Sequence, residues 1–219
     1  TYQRYPGAPT VIRNATVLDG EGGRIDGGIV VLADGVIQAV GGADVPVPAG
    51  AVEIDGTGKF VTPGVIDVHS HLGVYPSPSV ESTQDGNEMT GPVHPDVWAE
   101  HGIWPQDAGF SRALANGGVT TLQILPGSGN LFGGRAVTLK NVPARTMQGM
   151  KFPGAPYGMK MACGENPPRT YGARNQMPQT RMGNMALNRQ TWIRAQEYRK
   201  KVEKDPSTTR ELAMETLAG

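Results

Sequence analysis

The stretch that decides the fold reads Thr62-Pro63-Gly64-Val65-Ile66-Asp67-Val68-His69-Ser70-His71. Its apolar residues occupy both alternating faces, which is typical of a strand buried inside a parallel sheet. The two histidines at its end are one residue apart, so their side chains project to the same side with backbones about 6 to 7 Å apart. Two imidazoles at this spacing favour a divalent metal site; the alternative is a pair of strand-end histidines bonded to backbone groups.

Upstream of this strand, three short β-type runs cover residues 10–18, 28–32 and 36–40. Turn signals separate them, and Asp34-Gly35 between the last two runs is a strong hairpin signal. We therefore predict a small β-sandwich over residues 1–60 and a second domain over residues 61–219.

Downstream, residues 73–107 show no helical or strand periodicity, and a loop of this length in a compact domain is usually functional. A helix over 108–116 and a buried strand over 119–125 follow, so that strand, loop, helix and strand form a βαβ unit. Residues 136–141 predict a third strand, and 184–204 predict a half-exposed helix in which Trp192 and Tyr198 are packing residues. A last helix is predicted over 207–218 with Ser207 as its N-cap.

The composition excludes several classes of protein. The 219 residues carry 20 basic and 20 acidic side chains, so no long-range field favours nucleic acid or an anionic membrane. No apolar run is long enough to cross a bilayer, and we expect a soluble protein of the cytoplasm, the periplasm or the exterior. The chain begins with Thr1 rather than Met, which leaves removal of a leader or an upstream segment open. The single cysteine, Cys163, has no partner for a disulfide, and we expect it to be buried as a small apolar residue.

Five strings together resemble the amidohydrolase superfamily of metal-dependent hydrolases, in its imidazolonepropionase-like and prolidase-like branch. The signature strand over 62–71 resembles that family's first barrel strand. The others resemble the opening strand of its sandwich, its return into the barrel, its second barrel strand and a turn after that strand, and they cover residues 14–20, 55–64, 117–121 and 126–130.

This resemblance implies an α/β fold: the amino-terminal part of a TIM-type (β/α)₈ barrel, preceded by the small β-sandwich, which both chain ends would build. It also implies one or two divalent cations, with zinc expected, bound by His69 and His71. A bridging group between two cations would be Glu165, or Lys160 after reaction with carbon dioxide. We favour Glu165 because it needs no modification; the alternative is a turn glutamate and a surface lysine.

Four further residues are candidates for substrate contact. Ser128 and Asn130 lie in the turn after the second barrel strand, where an ordinary tight turn is an equal alternative. His94 lies in the long loop, as does His101, and either is otherwise a solvated loop histidine. Arg135 offers a guanidinium that suits a substrate carboxylate, although a structural salt bridge is the other interpretation.

The function implied is hydrolysis of a carbon–nitrogen bond in a small amide, cyclic amide or dipeptide-like substrate by metal-activated water. A closed barrel alone takes about 250 residues, and no aspartate base is identifiable in this chain. We therefore expect a companion polypeptide to complete the barrel, an oligomeric assembly, and no activity from this chain alone. A non-catalytic half-barrel scaffold and a deaminase of the same superfamily are the alternatives.

Overall fold

The computed structural model describes residues 1–4 and 7–219, which fold as a mixed α/β protein in two compact units. One unit covers Gln3–Val65, and the other covers Thr1–Tyr2 and Ile66–Gly219. The mixed α/β class agrees with the prediction, while the units divide a few residues later than the predicted domain boundary.

The unit over Gln3–Val65 contains a single five-stranded sheet. Its strands are β1 (Thr10–Leu18), β2 (Arg24–Ala33), β3 (Val36–Gly41), β4 (Val52–Asp55) and β5 (Phe60–Val61). The order is β3-β2-β1-β4, with β5 also paired to β1, and β1 runs antiparallel to β2 but parallel to β4 and β5. The predicted hairpin between β2 and β3 is confirmed: Asp34 and Gly35 have φ angles of 54° and 70°, as a tight hairpin turn requires.

One face of this sheet carries a small core built on Val11, Ile29 and Val31. Ile37 and Val52 remain exposed on the same unit. The described residues of the unit supply one layer, so the second layer of the predicted sandwich stays a prediction.

The other unit contains two small sheets and five helices. The first sheet has the order β6-β7-β9, and in the second β8 pairs with β10. The strands are β6 (Val65–Ser70), β7 (Val119–Ile124), β8 (Phe132–Arg135), β9 (Val137–Lys140) and β10 (Met159–Met161); the helices are α1 (Ala108–Gly117), α2 (Met147–Met150), α3 (Asn166–Gly172), α4 (Arg181–Lys204) and α5 (Leu212–Ala218). These elements do not close a barrel within the described residues, and the barrel stays a prediction.

The strand β6 is exposed within this chain, which differs from the buried strand that the sequence predicts. Ile66 and Val68 are 64% and 69% exposed, and β7 is the partner of β6 in its sheet. An apolar strand is buried on both faces only when elements pack against both sides of it. The described part of the chain provides a neighbour along one edge.

The long loop between β6 and α1 is fastened to the start of that helix by Asp107. Its buried carboxylate accepts hydrogen bonds from the backbone N–H groups of Gly73, Ser77 and Gly109 at 2.9, 3.1 and 2.8 Å. The bond from Gly109 is an N-cap bond, and α1 ends before Gly118, whose φ of 61° suits glycine. The predicted helix over 108–116 is confirmed. The loop contains short 3₁₀ turns at Glu81–Thr83 and Ala99–His101, and isolated β-bridges join Val93 to Phe132 and Trp98 to Arg135.

The carboxy-terminal helices agree with the sequence in part. Thr180 caps α4, which begins at Arg181, three residues before the predicted start. Tyr198 packs on Met214 of α5, and the Trp192 ring meets Phe132 edge-on at 5.7 Å. The predicted N-cap at Ser207 was wrong. Its hydroxyl donates to Asp205 instead, which closes a local turn, and α5 begins only at Leu212. None of the described helices combines the length and the apolar character that a membrane span requires.

Candidate metal centre

The end of β6 holds the two histidines side by side. The Asp67 carboxylate accepts a 3.0 Å hydrogen bond from the backbone N–H of His69, which fixes the chain at the point where the strand ends. The ring centroids of His69 and His71 are 5.3 Å apart, and the ring planes are nearly perpendicular at 88°. This is the juxtaposition that strand alternation predicts, and it brings two imidazoles within reach of one ion.

The tautomer of His71 follows from its backbone partner. Its Nδ1 lies 2.8 Å from the carbonyl oxygen of Leu125, the residue after β7. A carbonyl oxygen only accepts, so Nδ1 carries the proton and Nε2 keeps a free lone pair. Metal-binding histidines in proteins are oriented in this way, through a hydrogen bond from the other ring nitrogen.

Lys160 is brought to the same place by β10. Its Nζ lies 3.3 Å from Nε2 of His69, and the side chain is buried. Burial lowers the pKa of the Lys160 ammonium group, because an apolar environment disfavours the charged form. The neutral amine is the form that reacts with carbon dioxide, and burial shifts Lys160 toward that form.

Two imidazoles and a buried amine fit a divalent cation in part. Neutral imidazole is a good ligand for zinc and related metals, and His71 presents the correct nitrogen. Within residues 1–4 and 7–219, however, no three His, Cys, Asp or Glu side chains converge to hold an ion. The chain therefore contributes part of a ligand set rather than a closed site.

The other candidates for bridging or reactive groups lie outside this cluster. Glu165 is exposed at the start of α3, and the described residues place no hydrogen bond between its carboxylate and either histidine. Cys163 is also exposed, so the prediction of a buried cysteine was wrong. It lies in the loop between β10 and α3, where its carbonyl oxygen accepts from Asn184 and its side chain has no core to enter.

Ser128 and Asn130, predicted in the turn after β7, bond to other parts of the same chain. The Ser128 hydroxyl accepts a 2.7 Å hydrogen bond from the Asn166 amide. Asn130 is fully buried; its Nδ2 donates to the carbonyl oxygen of Glu88, and its Oδ1 accepts from the Tyr171 hydroxyl. The amide nitrogen and the amide oxygen of Asn130 both hold the loop, and a substrate has no access to them in this arrangement.

His94 and Arg135 also have intramolecular partners. The His94 ring lies 3.2 Å from the Thr90 hydroxyl. The Arg135 guanidinium is stacked between two aromatic rings, 3.3 Å from the centroid of Trp98 and 3.7 Å from that of Tyr157. One nitrogen of this guanidinium also lies 3.9 Å from Oε1 of buried Glu100, which is the structural salt bridge named as the alternative for Arg135. His101 stacks on Trp98 with a largely exposed side chain.

Sequence reasoning missed Tyr75 and Asn87, which lie in the long loop. The Tyr75 ring meets His71 edge-on with centroids 5.9 Å apart, and burial raises the pKa of its phenol. The Asn87 Nδ2 donates to the Tyr75 hydroxyl at 2.5 Å, and its Oδ1 accepts from the backbone N–H of Gly129 at 2.9 Å. The available signal was an aromatic residue four positions after His71, which is too weak to single out.

Known proteins resemble this chain over most of its length. No protein-family model matches the chain. It is 34% identical over 215 residues to the amidohydrolase tasK of Hapsidospora irregularis, covering 86% of this chain and 22% of tasK. The solved structure of an amidohydrolase from Thermotoga maritima is 37% identical and superposes with a TM-score of 0.86, covering 95% of this chain and 54% of that one.

This chain belongs to the amidohydrolase superfamily. The predicted family is thereby confirmed. Nearly all of this chain superposes on about half of the longer Thermotoga amidohydrolase.

Other amidohydrolase-superfamily relatives differ in their named reactions. The imidazolonepropionase of Idiomarina loihiensis is 34% identical over 133 residues, which are 54% of this chain and 33% of that enzyme. Shorter matches include proteins named dihydroorotase and adenine deaminase. The chain spans about half of the Thermotoga protein and a third or less of tasK and of the Idiomarina imidazolonepropionase.

Proposed function

We propose that this chain carries the first metal ligands of an amidohydrolase that cleaves a carbon–nitrogen bond in a small amide, cyclic amide or dipeptide-like substrate. The observation that carries the proposal is the meeting of His69, His71 and Lys160 in a chain of this superfamily. Zinc, as one or two ions, is the cation proposed here, because neutral imidazole is one of its usual ligands in proteins.

In this proposal His71 binds the cation through Nε2, because Nδ1 donates to Leu125. His69 binds through the ring nitrogen that faces Lys160. When bound, the cation supplies Lewis acidity, lowering the pKa of a water molecule and polarising the scissile carbonyl. The chain's own contribution is to hold two neutral imidazoles at a fixed separation on a strand end.

Lys160, rather than Glu165, is our candidate for the bridging group. Its neutral amine would attack carbon dioxide, forming a C–N bond and releasing one proton to give a carbamate anion. That reaction converts a neutral amine beside His69 into an anion, which favours a divalent cation there. Glu165 needs no reaction, but its exposed side chain has no recorded contact with the histidines among the described residues.

The remaining ligands and the aspartate base are proposed to come from a companion polypeptide, or from further chain, that completes the barrel. Two findings support this: β6 exposes apolar side chains along its length, and the chain spans about half of the Thermotoga amidohydrolase. Ile66 and Val68 would then be covered by neighbouring elements. An oligomeric assembly is part of the same proposal.

Deamination is the second candidate, because two matched relatives are named 5-methylthioadenosine/S-adenosylhomocysteine deaminase and adenine deaminase. Amide hydrolysis and deamination share attack by an activated water and differ in the leaving group. The residues that recognise the leaving group decide between them, and substrate screening separates them directly.

The test uses the complete protein or complex that contains this chain. Bound metal is measured by mass spectrometry after purification in zinc, and hydrolysis is screened over N-acyl amino acids, dipeptides, cyclic amides and aminopurines. Bound zinc with turnover of any amide supports the proposal, and release of ammonia from a purine supports the second candidate. A protein that binds no divalent metal and turns over none of these compounds contradicts both.

A further inference from the structure

The orientation of the Asn87 side chain determines what the Tyr75 hydroxyl can do. The backbone N–H of Gly129 can only donate, so the atom of Asn87 that faces it is the carbonyl oxygen Oδ1. Nδ2 must then face Tyr75, and an amide nitrogen also only donates. The Tyr75 oxygen is therefore the acceptor in this bond, and its own proton remains available. The structure gives that proton no acceptor within residues 1–4 and 7–219.

The surrounding glycines fix the position of this hydroxyl. A Cβ atom at Gly86 or Gly127 would overlap the phenol end of Tyr75, and one at Gly127 would also overlap the Asn87 amide. The backbone N–H of Gly127 donates to the carbonyl oxygen of Gly86 at 2.6 Å, which ties the two loop segments together. Close backbone approach from both sides holds the phenol in one place, as a preorganised donor requires.

The Tyr75 ring also lies against the metal-binding pair. It packs edge-on to His71, whose Nδ1 is committed to Leu125 and whose Nε2 is free. The two rings are in contact with centroids 5.9 Å apart, so a phenol with one unused donor belongs to the immediate surroundings of His71. The residue as a whole is 37% exposed.

We propose that Tyr75 is a further catalytic residue, which donates a hydrogen bond to the carbonyl oxygen of the substrate as that oxygen becomes a tetrahedral oxyanion. Asn87 is its positioning residue, because it occupies the acceptor side of the phenol and directs the proton away from the loop. The phenol keeps its proton throughout, so no bond to it is made or broken. This inference rests on the proposed function, and it adds an oxyanion donor on this chain.

The competing explanation is that Tyr75 merely fastens the loop to Asn87. The two explanations differ in what an isosteric change at Asn87 does. Asn87→Asp keeps the acceptor for the Gly129 N–H group but places a carboxylate oxygen against the phenol. The Tyr75 hydroxyl then donates its hydrogen bond to that carboxylate and has none left for a substrate. A fastening role survives this change, because a hydrogen bond between the two side chains remains. An oxyanion donor is lost.

The experiment compares Tyr75→Phe, Asn87→Asp and the double variant in the complete zinc-loaded protein. Turnover of the best amide from the screen is measured, together with the affinity for methylphosphonate, a tetrahedral anion, by calorimetry. We expect kcat to fall about 100-fold in each single variant with KM nearly unchanged, and methylphosphonate to bind about 10-fold more weakly. The double variant should be no worse than Tyr75→Phe, since Asn87 acts through Tyr75. Tyr198→Phe, which removes a hydroxyl bonded to Glu215, is the matched control.

The outcomes separate the two proposals. If the wild-type protein is active and both single variants keep its kcat and its phosphonate affinity, the role of Tyr75 is overturned while the proposed function stands. A wild-type protein with neither metal nor turnover overturns the proposed function, and the role of Tyr75 with it. If Tyr75→Phe does not fold, Asn87→Asp decides, and full activity in that variant contradicts the inference.

Discussion

The Nζ atom of Lys160 lies 3.3 Å from Nε2 of His69, although 91 residues separate the two in the sequence. A charged ammonium in that position would repel a divalent cation, whereas a carbamate formed on the same nitrogen would attract it. The contact therefore favours Lys160 over Glu165 as the proposed bridging group.

Replacing Lys160 with Ala should lower both bound zinc and turnover, the latter by about 100-fold, because no carbamate can form. Acetate or formate at high concentration should restore part of the activity by supplying a carboxylate in the vacated space. Glu165→Gln is the matched control and should retain metal and turnover. Mass analysis of the metal content and rates with and without added acid provide the measurement, and loss of metal in Glu165→Gln alone would reassign the bridge.

His69→Ala and His71→Ala should each remove bound metal and turnover while the sheet of Gln3–Val65 stays folded. That sheet has its own core at Val11, Ile29 and Val31, which neither histidine joins. Metal analysis and circular dichroism measure the two effects. His101→Ala, which removes a largely exposed imidazole stacked on Trp98, should leave the metal content unchanged. Normal zinc content in both strand-end variants would contradict the assignment of the centre.

In the metal-free protein, Lys160 should make a contribution to stability that increases with pH in the alkaline range. Its pKa is lowered by burial, so the unfolded chain binds this proton more tightly than the folded chain. Between the lowered pKa and the ordinary value of about 10.4, the unfolded state holds more protons, and the free energy of unfolding increases with pH. Below that window the cost of the buried charge is fully present.

Lys160→Met should remove this pH dependence and raise stability near neutral pH by on the order of 1 kcal/mol, in the presence of a chelator. Urea unfolding midpoints at several pH values give the comparison. A variant whose midpoints follow those of the parent protein over the whole range would show that Lys160 is not the group responsible.

Asp107→Ala should destabilise the protein by about 2 to 4 kcal/mol, because it removes the α1 cap and leaves buried backbone donors without an acceptor. Three N–H groups depend on this carboxylate, and those of Gly73 and Ser77 lie in the loop. Asp107→Asn should cost less, since one amide oxygen can still cap the helix.

Chemical denaturation measures the total effect of the Asp107 variants, and hydrogen exchange of the Gly73 and Ser77 amides reports the loop. Exchange at these two amides that does not change in Asp107→Ala would show that the loop is held by other contacts.

The sequence by itself determined the features that depend on local geometry. His69 and His71 share a side because side chains alternate along a strand, and α1 was predicted because its apolar pattern and closing glycines act within a few residues. The hairpin at Asp34-Gly35 has the same local origin, since the turn needs positive φ at both residues.

The tertiary structure alone decided the rest, because each remaining feature is a contact between distant segments. Periodicity gives no distance between Lys160 and His69 or between Asn87 and Gly129, and only packing brings these pairs together. The same limit explains the errors. An apolar strand such as β6 is buried only where neighbours cover it, and Cys163 is buried only where a core lies beneath it.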